Sequence, residues 1–72
     1  MNSMPSIKVQ INGKPAEVKR GTSIQDVLAN KGISPNVVAC ELNLNVIRRA
    51  NLEKTILKEN DVLEIIQMIG GG

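Results

Sequence analysis

The chain has 72 residues, a net charge of +2, one Cys and neither His nor any aromatic residue. A zinc cluster, a Cys-His pair and a Ser-His-Asp triad are therefore excluded, as is an internal disulfide. The charge is too small to imply nucleic acid, and no aromatic residue is present to stack on bases.

The length allows one domain, which buries only roughly 60% of its unfolded surface. Its core has to come from Ile, Leu and Val. No G-x-x-x-x-G-K-[ST] or G-x-G-x-x-G occurs to cradle phosphate. Seven carboxylates are scattered with no acid/base pair among them. The chain is not expected to catalyse a reaction alone, nor to bind a cofactor or a metal. No apolar run could span a bilayer and no secretory pattern opens the chain. With a lone thiol, these features make the cytoplasm the expected compartment.

Residues 1–5 read as a loose leader, followed by a single domain over 6–69. Ile7-Lys8-Val9-Gln10-Ile11 alternates apolar and polar residues, the signature of a half-buried strand. Asn12-Gly13 is a hairpin turn, since both positions accept positive φ. In the return strand Lys14–Lys19, Ala16 and Val18 share one face, and Pro15 suits an edge. Thr22-Ser23-Ile24-Gln25 reads as a capping box with Thr22 as N-cap. A helix over 23–31 follows, with Ile24, Val27 and Leu28 as its apolar stripe, Gly32 at its C-terminal turn and Ile33 packing after it. Ser34-Pro35-Asn36 stops it.

Val37 to Leu42 is β-branched and strand-like, with Cys40 a buried, inert thiol between Val38 and Leu42. Asn43-Leu44-Asn45 turns the chain into a short strand at Val46-Ile47. Residues 48–58 are irregular, with one helical turn, and are anchored by Leu52, Ile56 and Leu57. Glu59-Asn60-Asp61 makes a turn into the last strand, Val62 to Met68. Arg48-Arg49 reads as a solvated pair, and Asp61 and Glu64 as surface charges.

This order predicts a hairpin and helix that pack together, with the last strand inserted parallel to the first. The fold class is α+β, a β-grasp with a mixed sheet of four to five strands and one main helix across one face. Leu63 and Ile65 should meet the helix. Ile66 and Met68 should point to the opposite, open face beside Ala39, and with Ile69 they form the candidate docking surface.

The chain closes on Gly70-Gly71-Gly72 directly after an apolar strand. Three residues without a Cβ make a slim lever that ends in one reactive group, the Gly72 carboxylate, and can thread where a side chain would clash. Gly72 is the candidate functional site, with Gly70 and Gly71 required for threading.

Several segments together resemble the ubiquitin-like sulfur carriers of the ThiS/MoaD superfamily. They are Ile7-Lys8-Val9-Gln10-Ile11-Asn12-Gly13-Lys14, Gly21-Thr22-Ser23-Ile24-Gln25-Asp26-Val27-Leu28, Val38-Ala39-Cys40-Glu41-Leu42-Asn43, Val46-Ile47-Arg48 and Leu57 to Ile65, with Gly71-Gly72. The triple glycine and the absence of proline in Gln67-Met68-Ile69 are similar to the thiamin branch, ThiS, rather than to the molybdopterin-synthase small subunit. Three positions depart from the pattern: Glu59 and Asn60, in a turn Glu59-Asn60-Asp61 that is usually Asp-Gly-Asp, and Ile47 in place of a proline.

The resemblance implies that an E1-like, ThiF-type partner uses ATP to adenylate Gly72. Sulfur from a persulfide, supplied through a cysteine desulfurase, then replaces AMP. The resulting thiocarboxylate serves a ThiG-type thiazole synthase. Neither nucleic acid nor membrane is implied as a partner. A sulfur carrier like the molybdopterin-synthase small subunit, a protein modifier forming isopeptide bonds through the same terminus, and a non-covalent β-grasp interaction domain with a passive tail remain as alternatives.

Overall fold

The computed structural model describes residues 6–68. The expected leader and the candidate residues Ile69, Gly70, Gly71 and Gly72 lie outside the described residues. Within them run β1 (Ser6–Ile11), β2 (Lys14–Lys19), α1 (Ile24–Asn30), β3 (Val38–Leu42), β4 (Asn45–Ile47) and β5 (Val62–Gln67). Short 3-10 turns cover Pro35–Val37 and Arg49–Asn51.

The first hairpin forms as its sequence dictates. Asn12 and Gly13 take φ of 52° and 80°, the left-handed pair that matches the twist of the flanking strands. The register sets Ile7 opposite Val18 and Val9 opposite Ala16, so the apolar side chains of both strands share one face. The sheet order is β2-β1-β5-β3-β4. Only the β1–β5 contact is parallel. This is the expected β-grasp, with β5 at its centre.

Helix α1 starts one residue later than the capping pattern suggests. Ser23, not Thr22, is the N-cap: its hydroxyl accepts from the Asp26 N–H at 3.0 Å, and Asp26 Oδ2 accepts from the Ser23 N–H at 3.0 Å. Tertiary pairing decides the register. Ile24 N–H donates to the Thr55 carbonyl, and Leu57 N–H to the Thr22 carbonyl, which holds Thr22-Ser23 extended against residues 55–57. An Asp in the first turn also suits the positive end of the helix better than a neutral Gln does. At the other end Ile33 N–H reaches the Leu28 carbonyl and Gly32 N–H the Ala29 carbonyl. This double bond pattern needs the left-handed Gly32, at φ 70°.

Ile24, Val27 and Leu28 meet Ile7, Val9, Ile11, Val38, Cys40 and Leu63 in the core, and Leu52 and Leu57 close it from the long connection. Ile56 does not join them and is exposed. The chain is extended there, adjacent side chains face opposite ways, and Leu57 takes the inward position.

Three other boundaries move. Val37 belongs to the 3-10 turn rather than to β3, since its N–H bonds back to Ser34. Met68 lies one residue past β5, yet its N–H still donates to the Val37 carbonyl at 2.8 Å. The short fourth strand begins at Asn45, because Asn43 and Leu44 alone make the turn at φ 52° and 72°.

Asn12 has a second task that joins the two ends of the chain. Its side-chain Oδ1 accepts from the Ile65 N–H at 2.7 Å, while its own N–H donates to the Leu63 carbonyl. Asn12→Gly keeps the turn but loses the side-chain bond, with an expected cost of about 1 kcal/mol. Asn12→Ala adds left-handed strain and is expected to cost about 1 kcal/mol more. Urea unfolding followed by far-UV circular dichroism checks that order.

Candidate functional site

One face of the sheet is covered by α1 and the other is open. Alternation along each strand assigns the residues. With Ile7, Val9 and Ile11 buried, Lys8 and Gln10 look outward. With Leu63 buried, Glu64 and Ile66 do the same on β5. Ile66 is 44% exposed and Met68 is 48% exposed.

Ala39 pairs directly with Ile66, as the spacing predicts. The Met68 N–H bond to Val37 holds Met68 at the same end of the sheet. Ala39, Ile66 and Met68 are thus brought together where β5 leads toward the glycines. Val46, on β4 opposite Glu41, adds exposed apolar surface to this face. It sits in a three-residue strand too short for periodicity to assign a face.

The polar surround is uneven. Lys8 faces Glu17 across the β1–β2 hairpin, a favourable opposition. Glu41 faces Glu64 across β3–β5. Like charges directly opposite one another oppose folding, and an adjoining apolar patch makes this a surface suited to a partner bearing cations.

Asp61 is more than a surface charge. Its carboxylate accepts from Asn43 Nδ2 at 3.0 Å and from the Lys58 N–H at 2.8 Å, while Asn43 Oδ1 accepts from the Val62 N–H. This knot fixes the turn that launches β5. Leu44, 85% exposed on the adjoining turn, lies at the end of the sheet remote from Met68. Arg48 and Arg49 are both exposed.

Cys40 is 1% exposed, and burial pushes its thiol pKa up. The folded thiol therefore stays neutral where the unfolded one ionises. Its contribution to stability is complete below the ordinary thiol range and is lost as pH rises through the raised value. Urea midpoints taken from neutral into alkaline pH should fall less steeply in Cys40→Ala than in the parent.

Among the described residues no three His, Cys, Asp or Glu side chains converge as metal ligands would. No helix among them is long and apolar enough to cross a membrane. What the region offers is an open apolar face beside the strand that precedes the glycines.

Comparison with known proteins bears directly on that arrangement. The model of the ThiS family matches residues 9–72. The chain belongs to the ThiS family. The sulfur carrier protein ThiS of Bacillus subtilis is 35% identical over 65 residues, covering 89% of this chain and 98% of that protein. A crystal structure of the thiamine biosynthesis protein ThiS from Geobacter metallireducens superposes with a TM-score of 0.78 at 28% identity. It covers 92% of this chain and all of that one. A thiazole synthase of Magnetococcus marinus is 35% identical over 66 residues, which are 92% of this chain but only 20% of that longer protein. A ThiS-like segment therefore occurs there within a chain named for thiazole synthesis.

Proposed function

We propose that this protein is a sulfur carrier for thiazole formation in thiamin biosynthesis, with the Gly72 carboxylate as the carrying group. The observation that carries the reading is a ThiS family match that runs through the terminal glycines.

The chemistry follows from the carboxylate. Direct attack by sulfur would have to expel oxide, so the oxygen must first become part of a better leaving group. An E1-like partner attaches AMP from ATP to Gly72 and releases pyrophosphate. A persulfide sulfur then displaces AMP, and thiol cleavage of the resulting acyl disulfide leaves a thiocarboxylate. A thiazole synthase receives that sulfur. The catalytic groups belong to the partners, and this chain supplies the lever and the docking face.

The open face supports the role. Ala39, Ile66 and Met68 would seat a partner, with the sheet directing Gly70, Gly71 and Gly72 into its active site. The opposition of Glu41 and Glu64 would be relieved by a basic residue of that partner.

Adenylation is tested by pyrophosphate–ATP exchange with the organism's adenylating enzyme. Exchange should depend on this chain and vanish when one residue is added after Gly72. Exchange that persists in the extended chain would overturn the assignment of Gly72. The absence of any exchange that depends on this chain would leave a non-covalent binding domain with a passive tail.

A further inference from the structure

Strand β5 outruns its parallel neighbour. β1 ends at Ile11, opposite Leu63, and the chain then turns away through Asn12 and Gly13. On its other side β5 stays paired with β3 as far as Gln67. Among the described residues, its last residues therefore have one partnered edge and one free edge.

The hydrogen bonds show which groups face which way. The Val62 carbonyl accepts from Asn43 N–H, and Met68 N–H donates to the Val37 carbonyl, so even-numbered residues bond toward β3. In a regular strand the odd-numbered ones face the other way. Leu63 does so by accepting from Asn12 N–H, and Ile65 by donating to Asn12 Oδ1.

Beyond that bond the Ile65 carbonyl and both backbone groups of Gln67 point outward. No bond from a described residue reaches them. Asn12 thus caps the β1–β5 ladder, and β5 continues past the cap with a short run of unpaired donors and acceptors.

An exposed run of this kind is complementary to another extended backbone. The sheet's outer edges are poorer templates. β2 carries Pro15, which has no N–H to offer, and Lys14 and Lys19 at its ends. β4 has only three residues. The β5 edge also leads, within two residues, to Ile69 and the glycines.

We propose that the Ile65–Gln67 edge of β5 takes up an extended segment of the thiazole synthase by strand addition. The segment would continue the β1 side of the sheet and set the direction in which the tail enters that enzyme. The inference rests on the sulfur-carrier reading. Its occupant is chosen because ThiS-like segments occur within chains named thiazole synthase, where the two would meet repeatedly at fixed geometry.

Gln67→Pro tests the edge directly. It deletes the outward N–H and spares the hydrogen bonds to β3, because Gln67 is paired with Val38 at a position whose backbone groups face away from β3, and proline is tolerated where a strand's N–H faces away from its neighbours. Gln67→Ala keeps the N–H and removes the side chain. Binding of the organism's thiazole synthase is measured by calorimetry, with urea midpoints for each variant. Gln67→Pro should weaken binding about tenfold, the scale of a lost interfacial hydrogen bond and the register it fixes, with Gln67→Ala near the parent.

If Gln67→Pro unfolds the domain, a synthetic chain N-methylated at Gln67 removes the same donor without a ring. Parent-like binding by a folded chain lacking that N–H would overturn strand addition and leave the carrier reading standing. Failure of the parent itself to bind the synthase would overturn both.

Discussion

Gly71→Val is expected to lower the rate of thiocarboxylate formation by at least on the order of 10²-fold, the scale on which reacting groups lose alignment, with the urea midpoint unchanged. A branched side chain one residue from the reacting carboxylate would widen the lever at its narrowest point. It would also remove the backbone freedom that lets the tail extend into a partner. The fold should not register the change, because Gly71 lies beyond β5 and, among the described residues, the last one packed against the core is Ile65. The comparison is made in the reconstituted reaction with adenylating enzyme, ATP and a persulfide donor. A parent-like rate in Gly71→Val would show that the tail does not thread.

Leu63→Ala is expected to do the opposite, lowering stability by about 3–4 kcal/mol without touching the chemistry. Leu63 is 0% exposed, pairs with Ile11 on one side and Leu42 on the other, and lies in the core with the α1 stripe. A domain of this size has on the order of 5–10 kcal/mol of total stability, so this one cavity would remove a large share of it. Ile66→Ala, three residues along on the open face, should stay within about 0.5 kcal/mol of the parent, while weakening partner binding. Far-UV circular dichroism is the suitable readout, since a chain without aromatic residues gives no intrinsic fluorescence. Equal losses at Leu63 and Ile66 would contradict the division of β5 into a core face and a docking face.

Much of this organisation is local in the sequence and therefore legible there. Asn12-Gly13 specifies its turn without help from the rest of the chain. The stripe of Ile24, Val27 and Leu28, closed by Gly32 and Ile33, specifies a helix and its end. Alternation in β5 correctly separated Leu63 from Ile66 and placed Ala39 beside the latter.

What escaped depends on contacts distant in sequence. Thr22 and Ser23 are both acceptable N-caps, and the choice falls to Ser23 because residues 55–57 hold Thr22 extended. Leu52, Ile56 and Leu57 look alike as anchors until the chain is known to run extended through Ile56, where it bridges Ser23. The bond from Ile65 to Asn12 spans the whole domain, and no short window contains both partners. Asp61 likewise looks like a surface charge until Asn43 is folded against it. The proposed carboxylate lever rests on the sequence alone: the composition offers no catalytic set, the glycines leave one reactive group, and Gly70, Gly71 and Gly72 lie outside the described residues.

The central claim is that Gly72 carries sulfur. Intact mass of the protein, purified from cells that also express its adenylating partner, tests it most directly. The account predicts a fraction heavier by the difference between sulfur and oxygen, absent when Gly72 is deleted. A single species at the mass of the free acid, with partner, ATP and a sulfur donor all present and active, would contradict it.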